Sequence, residues 1–286
     1  MPDRVGDNRR LAGMTDAHRD PARSGPALAG TGPAADLGLT GERTLPGIPD
    51  ENYWFQRHVV AYGLAVDLVR AGDVEVVLDA GCGEGYGLAM LAATGIGRVV
   101  GVDLDATVVA HVAATHGATH PAVEVHAAEL LTIPLDDDAA DLTVSFQVIE
   151  HLYDIPGYLR SLRRVTRPGG TIVIATPNRL TFTPGSDVPV NPFHTREFTA
   201  AELRDEVTAA DLEVTGLLGV HHGRWLAGVE AAAAAPLPEL LAAGEPATWP
   251  AWLRRTVHAV RPDDFDLHPR DLDASLDLVT ICRVPA

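Results

Sequence analysis

The chain has 286 residues, of which 46% are hydrophobic and 21% charged, a composition ordinary for one sizeable globular domain with appendages. Its formal net charge of −17 disfavours a nucleic-acid partner, because nucleic-acid-binding proteins usually carry a basic patch. The chain has only two cysteines, so we expect no disulfide framework. It has no apolar run of about 18 residues, so we expect no membrane span. Residues 1–40 lack the apolar core of a signal peptide, so we expect a cytoplasmic protein.

The first 72 residues are expected to precede the main domain. Residues 1–38 mix Gly, Pro, Ala, Arg and Asp without a period, which predicts a disordered tail. Residues 39–72 are predicted to form an N-terminal cap region, with a helix from about Glu51 to Ala71 and Asp50 as its N-cap. An aromatic cluster at the start of this helix either closes over a ligand or packs the helix on the domain: Tyr53, Trp54 and Phe55.

Residues 73–286 are predicted to form an α/β domain. Short apolar segments that alternate with helical ones predict strands at Glu75–Asp79, Arg98–Asp103, Val123–His126, Asp141–Gln147 and Thr171–Ala175. Such strands indicate a doubly wound, mostly parallel sheet that is buried on both faces. A long loop at Thr176–Phe198, a strand at about Glu213–Val220, a helical insertion at about 224–260 and a last strand at Leu276–Arg283 complete the domain.

A glycine-rich turn follows the first of these strands. In VVLDAGCGEGYG, Asp79 ends the apolar run, and Gly81, Gly83 and Gly85 follow at alternate positions before a helix begins. Glycine permits unusual backbone angles and close approach of a ligand, and a helix N-terminus offers free N–H groups. Asp103 ends the next strand, 20 residues beyond Gly83, where a carboxylate can accept hydrogen bonds from ribose hydroxyls. The pattern therefore predicts a site for a nucleoside-type cofactor.

Four segments taken together resemble the class I S-adenosylmethionine-dependent methyltransferases: VVLDAGCGEGYG, VVGVDLD, AAELLTIPLDDDAADLTVSFQVIEHL and RPGGTIVIATPN. The resemblance implies a Rossmann-like sheet of seven strands whose last strand is antiparallel. It implies S-adenosylmethionine as cofactor, with its methionine part against the loop from Gly81 to Gly85, its ribose on Asp103 and its adenine amino group near Glu129. The family more often has Asp at the position of Glu129, and Gln147 would line the floor of the site. The expected cofactor-binding set further includes Asp79, Cys82, Leu104, Leu130 and Arg57, whose guanidinium suits the cofactor carboxylate.

The flanking segments are similar to a narrower group of methyltransferases that modify sugars. TGERTLPG and NYWFQRHVVAY before the domain, and TPNRLTFTPGSDVPVNPFHTREFTAAEL after the fifth strand, resemble enzymes associated with methylglucose lipopolysaccharide. That resemblance implies O-methylation of a carbohydrate or glycosylated acceptor. A lipid, a quinone or a small natural product remains an alternative acceptor, and a cofactor-binding protein without catalysis remains an alternative class.

Transfer to a hydroxyl needs a group that takes up its proton, and a histidine of near-neutral pKa suits this role. His151, after the fourth strand, and His194, in the long loop, are the candidates, and Glu150 could orient one of them. These three residues also resemble the metal-binding set of Mg-dependent RNA 3′-end 2′-O-methyltransferases. Gln147 stands where that group has a further carboxylate, and a hard oxygen ligand is thereby lost. We therefore expect no metal, and a Mg-dependent RNA 2′-O-methyltransferase is the less favoured alternative.

Overall fold

The computed structural model describes residues 44–286, so the expected tail at 1–38 lies outside the described residues. The strands are β1 Val76–Ala80, β2 Arg98–Asp103, β3 Val123–Ala127, β4 Ala140–Phe146, β5 Thr166–Pro177, β6 Glu213–His222, β7 Phe265–His268 and β8 Asp277–Arg283. The α-helices are α1 Asn52–Ala71, α2 Tyr86–Ala92, α3 Ala106–Val112, α4 Ile155–Val165, α5 Arg179–Phe182, α6 Ala200–Ala209, α7 Arg224–Ala233, α8 Leu237–Ala242 and α9 Ala251–Ala259. No helix in residues 44–286 has both the length and the apolar character needed to cross a bilayer.

The strands form one sheet in the order β3-β2-β1-β4-β5-β8-β6-β7. The five strands from β3 to β5 are parallel, and β8 runs antiparallel between β5 and β6. The mostly parallel α/β fold is thus confirmed. The sheet has eight strands in the described residues and not seven, because β7 pairs with β6 at the edge.

Side chains at alternate positions of the central strands pack into two separate hydrophobic cores, one on each face of the sheet. Val77 and Val99 face one core, together with α1, α2 and the helices between β6 and β7. Leu78 and Val100 face the other, together with α4 and α6. Because successive strand residues point to opposite faces, an uninterrupted apolar run is what a sheet covered on both sides requires. Packing on both faces holds the central strands in place, and it thereby positions the loops at their carboxyl ends.

Helix α1 lies against the helical segment that follows β6. Asn52 Nδ2 donates to the carbonyls of Val257 and Val260, each at 2.9 Å, so the start of α1 is tied to the end of α9. Asp50 is not the cap of α1, as the sequence suggested. Its carboxylate accepts hydrogen bonds from Arg254 on α9, and the helix starts two residues later, at Asn52. The carboxylate is thus engaged by another helix and makes no cap bond to the N–H groups of α1.

The aromatic cluster at the start of α1 packs inward. Tyr53 is fully buried, and its hydroxyl lies 2.7 Å from Nε2 of His222 at the end of β6. Phe55 is also buried and makes an edge contact with the ring of Tyr86, the first residue of α2. The packing interpretation of the cluster therefore accounts for Tyr53 and Phe55.

Candidate functional site

The carboxyl ends of β1, β2, β4 and β5 meet at one edge of the sheet. Chain order reverses there, since β1 pairs with β2 on one side and with β4 on the other. Ligands of open α/β sheets bind in the crevice outside this switch point. The edge carries the predicted residues Asp79, Asp103 and Gln147, and Glu150 follows within one short turn.

The glycine loop has the shape of a ligand cradle. Gly81, Gly83 and Gly85 all have positive φ angles, of 88°, 52° and 92°. A side chain at Gly81 would collide with Val148, 2.4 Å from its Cβ, whereas a Cβ at Gly83 would meet nothing within 4 Å. The backbone at Gly83 therefore faces open space, which allows a ligand to approach it closely.

Two buried residues within the loop attach it to neighbouring segments. The sulfur of Cys82 fills the space that a side chain at Gly101 would need, and Cys82 is buried. Glu84 is buried as well, and its Oε1 lies 3.2 Å from Nε2 of His111 and 3.3 Å from Nε2 of His116. This link between the loop and the segment after β2 was not predicted from the sequence. The cofactor contact expected of Cys82 remains a prediction.

Asp79 is a buried carboxylate with one unsatisfied oxygen. The hydroxyl of Tyr62 donates to its Oδ2 at 3.0 Å, and no hydrogen-bond partner lies near Oδ1. Burial raises the pKa of Asp79 to about 7, and the charge of Asp103 acts in the same direction. A buried acceptor without a partner is costly, and a cationic donor would remove that cost. The unsatisfied acceptor Oδ1 fits the ammonium group of S-adenosylmethionine, which is such a donor.

Asp103 joins the second strand to the glycine loop. Its Oδ2 accepts from the N–H of Gly83 at 2.9 Å, and its Oδ1 accepts from the N–H of Asp105 at 3.0 Å. Each carboxylate oxygen has a second lone pair, so both can still accept a ribose hydroxyl. The two backbone bonds fix the plane of this carboxylate before any ligand arrives.

Apolar side chains lie exposed beside this carboxylate. Leu104, directly after Asp103, is 71% exposed, and Leu131 is 42% exposed. Glu129 is exposed and Leu130 half-buried at the start of the same short turn. Pockets for small ligands combine apolar walls with a few polar groups, so these leucines fit the wall of an adenine pocket. The roles of Leu104, Glu129 and Leu130 remain predictions that this arrangement favours.

Gln147 follows β4 in an unusual backbone conformation. Its φ is +57°, in the left-handed region that costs energy for a residue with a side chain. Its N–H donates to the carbonyl of Ala175 at 2.8 Å, and its Nε2 donates to Oδ1 of Asp277 at 3.3 Å. Strained residues that are held by their surroundings cluster at functional sites.

Arg57 binds a protein carboxylate. Its Nε and Nη2 donate to the two carboxylate oxygens of Asp277, each at 2.5 Å, and Nη2 also donates to the carbonyl of Leu276 at 3.0 Å. Both partners are buried, so the pair is a desolvated, bidentate ion pair. The expected pairing of Arg57 with a cofactor carboxylate is replaced here by a contact with β8. Asp277 was missed because nothing in the sequence links residues 220 positions apart.

Glu150, His151 and His194 come together as the sequence predicted. One potential ligand atom from each lies within 4.8 Å of the other two, and the two imidazole centroids are 5.0 Å apart. Glu150 is buried, burial raises its pKa to about 8, and Thr176 donates to its Oε2 at 3.0 Å. We call these three residues the Glu-His-His cluster.

Hydrogen bonds orient both histidines of the cluster. Nδ1 of His151 lies 3.0 Å from the carbonyl of Phe193, and Nδ1 of His194 lies 2.7 Å from Oε1 of Glu197. Because a carbonyl and a carboxylate can only accept, both Nδ1 atoms carry the proton. Asn191 Nδ2 lies 3.1 Å from Nε2 of His194. Glu197 was not predicted from the sequence, because its burial depends on tertiary packing.

A cavity of about 600 Å³ lies at the opposite edge of the sheet, far from the cluster. It is lined by residues before β4, on α4 and α6, and after β8, among them Asp138, Arg160, Arg163 and Asp211. Its position at the amino ends of β4 and β5 separates it from the glycine loop and from the cluster. It therefore takes no part in the chemistry of the site.

Comparisons with known proteins agree with this geometry. Residues 78–174 match the family model described as a methyltransferase domain. The chain is 47% identical over 254 residues to a probable S-adenosylmethionine-dependent methyltransferase of Mycolicibacterium smegmatis, which covers 87% of this chain and 96% of the relative. It is 42% identical over 266 residues to a protein of Mycobacterium tuberculosis that is described in the same words, with 91% and 94% of the two chains covered.

Solved structures share the fold at low sequence identity. The [4+2]-cyclase SpnF superposes with a TM-score of 0.55 at 18% identity, covering 79% of this chain and 80% of the other. A putative methyltransferase from Haloferax volcanii, in complex with the Trm112 activator, superposes with a TM-score of 0.54 at 21% identity, covering 83% and 93%. The sequence relatives, the strand order and the glycine loop lead to one conclusion. The chain belongs to the class I S-adenosylmethionine-dependent methyltransferases.

Proposed function

We propose that this methyltransferase transfers its methyl group to a hydroxyl of a carbohydrate or glycosylated acceptor. The observation that carries the proposal is the Glu-His-His cluster, in which Glu150 and His151 lie in the short turn after β4 and His194 lies in the long loop after β5. A hydroxyl is a poor nucleophile until its proton is removed, and imidazole groups are suited to that work near neutral pH.

Different residues of the site would bind the cofactor and act on the acceptor. Gly83, Asp79 and Asp103 offer the backbone space, the unsatisfied oxygen and the preset carboxylate that would hold S-adenosylmethionine. When bound, the cofactor supplies an electrophilic methyl group. The cluster would act on the acceptor. Because the proton of the neutral His151 ring is on Nδ1, the lone pair that can take up the hydroxyl proton is on Nε2. Alignment of the two partners is itself worth up to roughly 7–11 kcal/mol of the barrier.

Loss of either histidine should slow transfer and spare the cofactor. We expect His151→Ala and His194→Ala to lower kcat by about 10²–10⁴-fold, the usual contribution of a positioned acid–base group. Affinity for S-adenosylmethionine, measured by calorimetry, should stay unchanged, because neither ring lies in the glycine loop. His258→Ala is the control, since His258 pairs with Asp50 on the surface. Unchanged turnover in both variants would disprove the assignment.

Affinity for the cofactor should depend on pH through Asp79. Burial raises the pKa of this carboxyl to about 7, so below that pH it is protonated and cannot act as an anionic acceptor. Binding of a cofactor ammonium to Oδ1 then requires loss of one proton. We expect affinity to rise by up to about tenfold per pH unit as pH approaches 7 from below, and to level off above it. Calorimetry from pH 5.5 to 8.5 measures this rise.

Asp79→Asn is the matched variant for that measurement. Its side chain keeps an oxygen at the same place but loses the proton that couples to binding. We expect a flatter pH dependence in the variant, with only the titration of the cofactor itself remaining. Identical profiles for the two proteins would remove Asp79 from the cofactor site.

The same folded-state pKa has a consequence for stability. An acid with a raised pKa binds more protons in the folded chain than in the unfolded chain between its ordinary value of 3.8 and about 7. The free energy of unfolding of the cofactor-free protein should therefore fall as pH rises through this window. Asp79→Asn should remove this part of the pH dependence.

A second type of acceptor is favoured by exposed apolar side chains near the cluster. Tyr153 is 94% exposed, Val188 75%, Val190 67% and Phe193 43%. Tyr153 lies two residues after His151, and the other three precede His194 in the long loop. Clustered exposed apolar residues usually mark a binding surface. They support an acceptor with an apolar part, such as a lipid, a quinone, a small natural product or a glycoside of one of these.

An assay with labelled S-adenosylmethionine separates these possibilities. It would offer free glycans, the same glycans with an alkyl aglycone, and lipids without sugar. Transfer to the sugars, with a lower KM for the alkyl glycosides, is expected. Transfer to the sugar-free lipids alone would contradict the carbohydrate assignment. Binding of cofactor without transfer to any acceptor would contradict catalysis.

A further inference from the structure

The Glu-His-His cluster has the composition of a transition-metal site. Two imidazoles and one carboxylate provide ligand atoms that all lie within 4.8 Å of one another. Ligands around one zinc-type ion stand roughly 3–4 Å apart, given bond lengths of about 2.1 Å. Small rotations of the three side chains would therefore bring them to a common ion. Mixed nitrogen and oxygen ligands suit zinc, cobalt or iron better than magnesium, which prefers oxygen ligands alone.

The surroundings of the histidines match those of metal ligands. A histidine that binds a metal almost always donates its other ring N–H to a carbonyl or carboxylate. Nδ1 of His151 donates to the carbonyl of Phe193, and Nδ1 of His194 donates to Glu197. Both bonds favour the tautomer whose Nε2 carries a lone pair. Two independent hydrogen bonds thus set both rings in the form that ligation requires.

The charge balance of this region also calls for a cation. Glu150 and Glu197 are both buried, and Oε2 of Glu197 has no hydrogen-bond partner. The sequence contains no lysine, and in the described residues no arginine is hydrogen-bonded to either carboxylate. Buried carboxylates are normally paired with a cation or coordinate a metal. A divalent ion would give the carboxylate of Glu150 such a partner.

We propose that Glu150, His151 and His194 bind one divalent transition-metal ion, such as zinc, which coordinates the hydroxyl of the acceptor. This differs from the absence of a metal expected from the sequence. The lost carboxylate at Gln147 argued only against magnesium, and it does not weaken a site made of two histidines and one glutamate. Asn191 Nδ2, 3.1 Å from Nε2 of His194, must turn aside when the ion enters.

The catalytic part of this inference rests on the proposed transfer to a hydroxyl, whereas ion binding does not. It replaces proton uptake by His151 and His194, because their Nε2 atoms become metal ligands. The ion acts as a Lewis acid and lowers the pKa of the hydroxyl that it coordinates. The hydroxyl proton passes to solvent. The oxygen then bonds to the methyl carbon as the carbon–sulfur bond breaks and its electron pair stays on sulfur. No group is oxidised or reduced.

The test is titration of the metal-free full-length protein with Co²⁺ and Zn²⁺, without any acceptor. We expect one ion per chain and, for Co²⁺, the visible absorption of a nitrogen- and oxygen-ligated ion. Glu150→Gln and His151→Ala should each weaken binding at least tenfold. Glu197→Gln should weaken it about 10–100-fold, because it removes the negative charge that makes His194 a stronger ligand. His258→Ala, at an exposed histidine, should leave binding unchanged.

Two outcomes would overturn the metal site. One is the absence of saturable binding of Co²⁺ and Zn²⁺, and the other is binding that Glu150→Gln and Glu197→Gln leave unchanged. S-adenosylmethionine affinity is measured in the same metal-free samples and confirms that each variant is folded. Normal cofactor affinity and normal transfer without any ion would reject the catalytic role of the ion and leave the proposed function standing.

Discussion

Replacing Arg57 with Ala is expected to lower the free energy of unfolding by about 3–5 kcal/mol, the usual cost of leaving one partner of a buried ion pair uncompensated. Arg57 donates to both oxygens of Asp277, and both side chains are almost fully buried. Without the guanidinium, Asp277 would be a buried charge at the start of β8, in the middle of the sheet. Denaturant unfolding measures the loss.

Arg254→Ala is the matched control for this prediction. Arg254 also joins two helical elements through a bidentate pair, with Asp50, but it lies on the surface, where ion pairs contribute little. It should therefore change stability far less. The double variant Arg57→Met with Asp277→Leu should recover most of the loss, because apolar replacement of both partners is often neutral. Equal effects of Arg57→Ala and Arg254→Ala would contradict this account of α1.

Asp103→Ala is expected to weaken S-adenosylmethionine binding roughly 10- to 150-fold, which corresponds to about 1.5–3 kcal/mol for hydrogen bonds to a charged group. The carboxylate is oriented by the N–H groups of Gly83 and Asp105, so it is preset to accept hydroxyl donors. Calorimetric titration with S-adenosylhomocysteine measures the loss. Asp105→Ala removes a nearby carboxylate that caps α3, and it should have little effect.

An analogue of the cofactor that lacks both ribose hydroxyls separates two roles of Asp103. If the carboxylate binds the ribose, Asp103→Ala should lower the affinity for this analogue only slightly. If Asp103 only holds the loop through Gly83, the variant should weaken the analogue as much as the natural ligand. The second result would refute the ribose assignment.

The parts of this fold that the sequence predicted are those with local signals. The glycine loop follows a strand within six residues, and Asp103 ends the next strand, so spacing alone placed them at the same edge. The Glu-His-His cluster was also predicted, because strand ends and a long loop after β5 converge at this edge. Its buried partner Glu197 was not, since burial of a glutamate follows from tertiary packing and leaves no trace in the local pattern.

The missed features depend on contacts between distant segments. Arg57 was assigned to the cofactor because the sequence gives no sign that Asp277 lies beside it in the fold. Strand β7 was missed because it is short and follows two acidic residues. Its alternation of Phe265 and Leu267 with polar residues is too brief to stand out within an acidic segment. Asp50 resembles a helix cap, but its carboxylate is engaged by Arg254 on α9, some 204 positions away.

A crystal structure with bound S-adenosylhomocysteine would show directly whether the site can transfer a methyl group to a hydroxyl. We expect the sulfur of the ligand to face the Glu-His-His cluster, with open space between the sulfur and Nε2 of His151 for an acceptor hydroxyl. Its ribose should lie on Asp103 and its ammonium group on Asp79. A ligand whose sulfur faces away from the cluster, or side chains that fill the space between them, would contradict transfer to a hydroxyl at this site.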